Sequence, residues 1–329
     1  MATATSNNPQ PEARPRLVAS KCLGFAHCRY DGSVIPSPAI AALQPFVEFI
    51  PVCPEMELGL GAPRPPIRLV QGAEGVRLLQ PETGRDLTAE MQAFAERFLD
   101  SLPAVDGFIL KNRSPSCGIK DSRIHAAAGK APPVGTGPGM FGRAVRERFA
   151  DLPAEDEGRL TNRAIREHFL GAIFALARLR QAGESGRMAE LVRFHAQHKL
   201  YLMALSQAGL RELGRIVANA QRLPFPQVFE RYQSGFRAAL ARPPRRPWVV
   251  NVLMHALGYF SERLTAAEKG YFLDLLVAYR EGRQPLSAPV SVLRAWIARF
   301  GEPYLAEQAF LAPYPEALVP PLDSAGGRE

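Results

Sequence analysis

Arg16-Leu17-Val18-Ala19-Ser20-Lys21-Cys22 is a short apolar run that ends on two polar residues and a thiol. Two further runs share its texture, residues 46–53 (FVEFIPVC) and 107–111 (GFILK). Each has the length and composition of a buried strand and gives way to a loop rich in Gly, Pro or Ser. Helical stretches separate them, over 37–44 and 88–102. The second opens on a Thr cap and repeats Met91, Phe94, Phe98 and Leu102 at helical spacing. Strands alternating with helices predict an α/β domain with a mostly parallel sheet. Residues 132–136 read as a shorter strand leading into a helix over 141–149.

Beyond residue 155 the texture changes. Helical periodicity runs through 162–181, 188–206, 226–241, 248–263, 266–279 and 290–300, with no strand pattern between them, which predicts an all-α helical C-terminal domain. The division expected is a loose tail over 1–15, the α/β domain over 16–154, the helical domain over 155–315 and a second tail over 316–329. A length of 329 residues suits two domains. With 47% apolar and 22% charged residues the composition is that of a globular protein, which excludes a coiled-coil rod or a wholly disordered chain. The longest apolar stretch, Phe169 to Ala177, is nine residues, about half of what crosses a bilayer. No apolar signal segment opens the chain, so a reducing cytoplasm is expected, where four cysteines do not form structural disulfides. The net charge of +8 favours a polyanionic partner. Residues 155–329 carry most of it, with 23 Lys+Arg against 17 Asp+Glu, densest at Arg242, Arg245 and Arg246.

Cys22 and Cys53 close two of the strands, and Cys117 lies in the loop after the third. In a parallel sheet the carboxyl ends of the strands share one edge, where ligands bind, so three thiols distant in sequence converge there. Glu55 and Glu57 follow Cys53 and Pro54; Ser114 and Ser116 precede Cys117. Three thiolates beside a carboxylate suit either zinc or an iron–sulfur cluster. The absence of any C-x-x-C pair argues against structural zinc and a simple ferredoxin.

The motifs Ser20-Lys21-Cys22-Leu23-Gly24 with Arg29-Tyr30-Asp31-Gly32, Pro51-Val52-Cys53-Pro54-Glu55, and Lys111-Asn112-Arg113-Ser114-Pro115-Ser116-Cys117-Gly118 resemble those of the thiouracil desulfidase family. Arg193-Phe194-His195-Ala196-Gln197-His198-Lys199 and Gln221-Arg222-Leu223-Pro224-Phe225-Pro226 resemble the second domain of its bacterial two-domain members, the tRNA 4-thiouridine desulfidases. The resemblance implies a [4Fe-4S] cluster on Cys22, Cys53 and Cys117 with one iron open to substrate. It also implies hydrolytic, non-redox C–S cleavage that turns 4-thiouridine in tRNA into uridine and hydrogen sulfide. Glu55 is the first choice for the general acid/base, Glu57 the second, and Ser114 orients base or water. Asp31, Lys111 and Ser116 are expected to bind substrate, with Arg193, Lys199, Arg245 and Arg246 on the tRNA phosphates. The expected partner is tRNA containing 4-thiouridine, with no membrane and no obligatory protein partner, and the chain acting as a monomer.

Three signals stand apart. Cys28 precedes Arg29-Tyr30-Asp31 and reads as a packed thiol beside the cluster or as a fourth ligand. Gly137, Gly139 and Gly142 form G-x-G-x-x-G. This reads as close packing of helix on sheet or as a phosphate cradle, because no strand is expected before Asp156 and Glu157 to complete a dinucleotide site. His195 and His198, three apart on a helix, would need a third ligand to hold a metal. The rival reading of the whole is a non-catalytic iron–sulfur protein that binds RNA or senses redox state; a zinc hydrolase is a third.

Overall fold

The computed structural model describes residues 13–129 and 131–319; residues 1–12 and 320–329 of the two expected tails lie outside the described residues. Along the chain run β1 (Arg16–Ser20), α1 (Pro38–Leu43), β2 (Glu48–Val52), α2 (Pro54–Glu57), β3 (Arg68–Gly72), β4 (Gly75–Gln80), β5 (Arg85–Asp86), α3 (Thr88–Ser101), β6 (Gly107–Leu110), β7 (Ser122–His125), β8 (Pro133–Gly137), α4 (Met140–Arg148) and β9 (Ala154–Asp156). From residue 163 on the chain is helical: α5 (Arg163–Glu184), α6 (Met188–Gln197), α7 (Lys199–Leu205), α8 (Gln207–Ala218), α9 (Phe225–Leu240), α10 (Arg246–Gly258), α11 (Ala266–Arg280), α12 (Ser287–Phe300) and α13 (Pro303–Ala306).

The first sheet is parallel throughout, in the order β2-β1-β6-β9. Every residue of β6 is buried, as the unbroken apolar run GFIL requires of a strand covered on both faces. Because β1, β2 and β6 run the same way, the residues after Ser20, Val52 and Leu110 all leave from one edge. Of a second sheet, β5-β4-β3-β7-β8, the sequence reading expects only β8, as its short strand over 132–136, and not the sheet itself. It is antiparallel except where β3 meets β7. Its strands carry Arg68, Gln71, Arg77 and Gln80 among their apolar residues, and β8 is almost wholly exposed. Strands half in water offer too weak an apolar signal to be read from one sequence.

α5 joins the two halves. Asn162 caps it, its side chain accepting from the Ile165 N–H at 3.1 Å. Phe169, Leu170, Ile173 and Phe174 pack on Leu17, Ala19 and Ile109 of the parallel sheet. Ala172, Ala175, Leu176 and Leu179 face the core that continues into the helices beyond. Arg180 in its last turns forks onto the buried Asp106, whose Oδ2 also accepts from the Arg16 N–H at 2.8 Å.

Local differences from the periodicity have physical causes. The helix expected over 188–206 breaks at His198, whose ψ of 6° ends α6 and starts α7. Gly209 and Gly214 dilute the pattern of α8, which buries Leu213 and Val217. Leu318, inside the expected second tail, is buried against the parallel-sheet core. Among the described residues no helix is long and apolar enough to cross a membrane.

Candidate active site

At the shared strand edge lies a cavity of about 440 Å³ lined by Cys22, Cys28, Cys53 and Cys117 together with Glu55, Lys111 and Ser114. Cys22 lies two residues beyond β1, Cys53 caps α2 immediately after β2, and Cys117 sits in the loop after β6. All four cysteines are free thiols. Burial pushes Cys22 up to about 11 and Cys28 up to about 12, with Cys53 adding to both, and it drives Cys117 well above the ordinary thiol range.

The Cys117 loop is fixed from several directions. The Ser114 hydroxyl oxygen accepts from the N–H groups of Cys117 at 3.0 Å and Ser116 at 3.3 Å. Its carbonyl accepts from the Ser122 hydroxyl at 2.6 Å. Arg113 is held at a φ of 54°, a backbone region that side chains other than glycine rarely occupy. The amide ends of α4 reach back to the same loop: Gly139 N–H donates to Gly118 O at 2.7 Å, Met140 N–H to Pro115 O at 3.0 Å and Gly142 N–H to Ser116 O at 3.0 Å. The glycine motif is therefore a packing device. A Cβ at Gly142 would stand 2.3 Å from Gly118 O and 2.7 Å from Cys117 O, and one at Gly139 would stand 2.5 Å from Ser116 O. The phosphate-cradle alternative fails because loop carbonyls take up these amides. On the expectation of a cluster held by Cys22, Cys53 and Cys117, Gly142→Ala should displace Cys117 and lower bound iron several-fold, with Gly135→Ala, where a Cβ meets open space, as the control. Equal iron in both variants would refute this role for the packing.

Glu55 is the best-supported side chain in the cavity. Its Oε1 accepts from the Ser116 hydroxyl at 2.7 Å. Its Oε2 accepts from Arg64 Nε at 2.8 Å and is paired with Arg64 Nη2. Arg64 Nη1 donates in turn to the carbonyls of Cys28 at 3.0 Å and Gly61 at 2.6 Å. This buried arginine escaped the sequence reading: one Arg in the proline-rich loop GAPRPPI carries no periodic signal. Glu157, weighed in the sequence only as the acid of a dinucleotide site, escaped it as a neighbour of the cysteines. It pairs with Lys111 and accepts from the Asn112 N–H at 2.9 Å. The three-residue strand β9, which the sequence reading did not expect, delivers Glu157 to the same edge as the cysteines.

Three expected site residues do not line the cavity. Glu57 is exposed, because 54–57 form a helical turn that separates it from Glu55 by about 200°. Ser116 is fully buried and serves Glu55 instead of a substrate. Asp31 is exposed, and its Oδ1 accepts from the Ser33 N–H at 3.0 Å and hydroxyl at 2.6 Å, a turn that keeps its carboxyl below the usual range.

In the helical half His195 and His198 turn away from each other. His195 Nδ1 meets the Tyr232 hydroxyl at 3.0 Å, while His198 is buried, stacks on Phe194 and donates from Nδ1 to the Phe194 carbonyl at 2.9 Å. Burial lowers His198 to about 3, so it is neutral. Among the described residues no three His, Cys, Asp or Glu side chains converge tightly enough for a single metal ion. Phe194, Tyr201 and Phe260 are core, whereas Tyr259 is exposed. Arg193 pairs with Glu190, Lys199 is exposed, and Arg245 lies over the Trp248 ring at 5.4 Å beside the exposed Arg246.

Residues 17–157 match the sequence profile of the 2-thiouracil desulfurase family, and residues 199–315 match a second family described as a protein of unknown function, DUF1722. YbbK of Bacillus subtilis (strain 168), an uncharacterized protein, is 31% identical over 109 residues, which cover 31% of this chain and 72% of that one. YbgA of Escherichia coli (strain K12), also uncharacterized, is 30% identical over 148 residues, or 44% of this chain and 88% of that protein. Residues 17–157 of this chain are a 2-thiouracil desulfurase family domain. A solved structure, the [4Fe-4S]-dependent thiouracil desulfidase TudS, is 29% identical with a TM-score of 0.36, covering 45% of this chain and 93% of its own. Within the family match lie all four cysteines, Glu55, Arg64, Lys111 and Glu157, the whole set that the structure gathers at one edge.

Proposed function

We propose that this chain is an iron–sulfur-dependent desulfidase that removes sulfur from 4-thiouridine in tRNA. The observation that carries the reading is the meeting of Cys22, Cys53 and Cys117 with Glu55 in one cavity of a 2-thiouracil desulfurase fold. The donor set fits a [4Fe-4S] cluster. Three thiols supply three ligands, and Lys21, Arg29, Lys111 and Arg113 on the cavity wall offset the negative charge of thiolates and sulfides. When bound, such a cluster supplies a soft Lewis acid for a thiocarbonyl sulfur.

The protein's own groups then account for the protons. Among the described residues the Glu55 carboxylate receives hydrogen bonds from Arg64 and Ser116 only, so it is held as an acceptor and can take a proton from the water that attacks C4. The C–O bond forms, the C–S bond breaks, and both protons of the water end on the departing sulfur, giving uridine and hydrogen sulfide without net oxidation or reduction. Lys111, backed by Glu157, faces the developing anion. Arg242, Arg245, Arg246, Arg193 and Lys199 of the helical half grip tRNA phosphates, which positions the flipped base. A reducing cytoplasm and a monomer acting without a protein partner belong to the same reading.

The test is iron and acid-labile sulfide in anaerobically prepared protein, followed by turnover of thiolated tRNA. About four of each per chain are expected, lost in Cys22→Ser, Cys53→Ser and Cys117→Ser. Charge reversal at Arg242, Arg245 and Arg246 should weaken tRNA binding at least tenfold and flatten its salt dependence. Bound zinc without sulfide would overturn the chemistry. A full cluster without turnover would leave a redox-sensing RNA-binding protein.

A further inference from the structure

Among the described residues Tyr30 is the one aromatic side chain that lines the cavity, and the chemistry above leaves it unused. It is 45% exposed, although the cysteines of the same cavity are buried or half-buried. Arg29, also on the cavity wall, covers part of the ring, its guanidinium carbon 5.5 Å from the centroid. A tight turn presents the pair. Arg29 N–H donates to Ser33 O at 3.3 Å, and Gly32, at a φ of 73°, donates its N–H to Arg29 O at 3.0 Å. Asp31 Oδ1 accepts from the Ser33 N–H and hydroxyl and stands 3.5 Å from Arg29 Nε, which steadies the guanidinium. Tyr30 O accepts from the N–H of Arg64 at 2.7 Å, and the Arg64 side chain holds Glu55. The exposed ring and the Glu55 carboxylate therefore share one anchor.

A thiouracil ring is flat, uncharged and polarisable, and a base flipped out of a nucleic acid leaves its stacking neighbours behind. An aromatic side chain on a fixed turn replaces that stack at little conformational cost, because few torsions remain to be frozen. We propose that Tyr30, backed by Arg29, is the platform on which the pyrimidine ring of the substrate stacks. The platform sets the plane of the base in the cavity that holds the thiols and Glu55. The inference rests on the desulfidase reading and deepens it. A π-face recognises a planar base whatever is attached to it, so free thiouracil and thiolated tRNA share this contact. The same reasoning gives Asp31 its place: it holds the turn that presents the ring and does not itself touch substrate.

The test compares full-length, cluster-loaded wild type with Tyr30→Phe, Tyr30→Leu and Tyr30→Ala. Its readouts are iron and sulfide per chain, kcat and KM for 4-thiouracil and for thiolated tRNA, and the site of photo-crosslinking to 4-thiouracil under near-ultraviolet light. All three variants should keep wild-type iron, because the turn is fixed by backbone groups and Asp31. Tyr30→Phe should keep the wild-type KM. Tyr30→Leu and Tyr30→Ala should raise KM for both substrates by about 5- to 100-fold, the size of one base stack, with kcat changed far less. The wild-type crosslink should map to Tyr30. A Tyr30→Leu KM equal to that of Tyr30→Phe would overturn the proposal and leave Tyr30 as bulk on the wall. A fall in kcat at constant KM would overturn it in favour of a role in the chemistry, and a crosslink that maps elsewhere would move the platform. A wild type that turns over neither substrate would remove the functional reading; the crosslink then decides by itself whether the base lies on Tyr30.

Discussion

Glu55→Gln is expected to leave iron and sulfide content unchanged and to cut desulfidation by about 10²–10⁴-fold, the range for loss of a positioned acid/base. The amide keeps the size of the carboxylate and can still accept from Arg64 or Ser116, so the cavity should keep its shape. What disappears is the ability to take a proton. Arg64→Ala tests the support of the same group. It removes the Glu55 partner and the donors to Cys28 O and Gly61 O at once, so both turnover and cluster retention should fall. Arg64→Lys, a point charge without the fork, should recover retention better than turnover. Steady-state rates at fixed cluster occupancy check the pair. A Glu55→Gln enzyme within threefold of wild type would assign the proton transfer elsewhere.

Asp106→Ala should destabilise the fold by about 3–5 kcal/mol, the cost of leaving one member of a buried ion pair alone. Asp106 is 2% exposed and holds Arg180 through two contacts, 3.0 Å to Oδ2 and 3.3 Å to Oδ1, while also accepting from the Arg16 N–H. Burial pushes its carboxyl up, and Arg180 and the Arg16 amide pull it back, so the ionised form depends on its partners. The pair ties α5 to the starts of β1 and β6, the two strands whose far ends carry Cys22 and the Cys117 loop. Denaturant unfolding at neutral pH checks the size. The double variant Asp106→Ala with Arg180→Met should cost less than the sum of the two single changes, because neither charge is then stranded. A loss below about 1 kcal/mol would show that water replaces the carboxylate at little cost.

Much of the architecture was legible because it rests on periodicity. The strands at 16–20 and 107–110 are built on short buried apolar runs, as a sheet covered on both faces requires, and the strand at 48–52 pairs beside them as the half-exposed edge. The second sheet was not legible, since its half-exposed strands mix charges with apolar residues.

The sequence by itself determined the two-part division, the parallel sheet, and the placing of Cys22, Cys53 and Cys117 at strand ends that share an edge, since strand direction follows from connectivity. The tertiary structure decided which polar groups reach that edge. It brought in Arg64 from a proline-rich loop and Glu157 from a three-residue strand, and it turned Glu57 out to solvent. It set Ser116 to support Glu55 and brought Cys28 into the same cavity as the other three cysteines. The physical reason is range: periodic burial is written in neighbouring residues, whereas an ion pair or a shared cavity depends on where two distant backbones end, which no local pattern records.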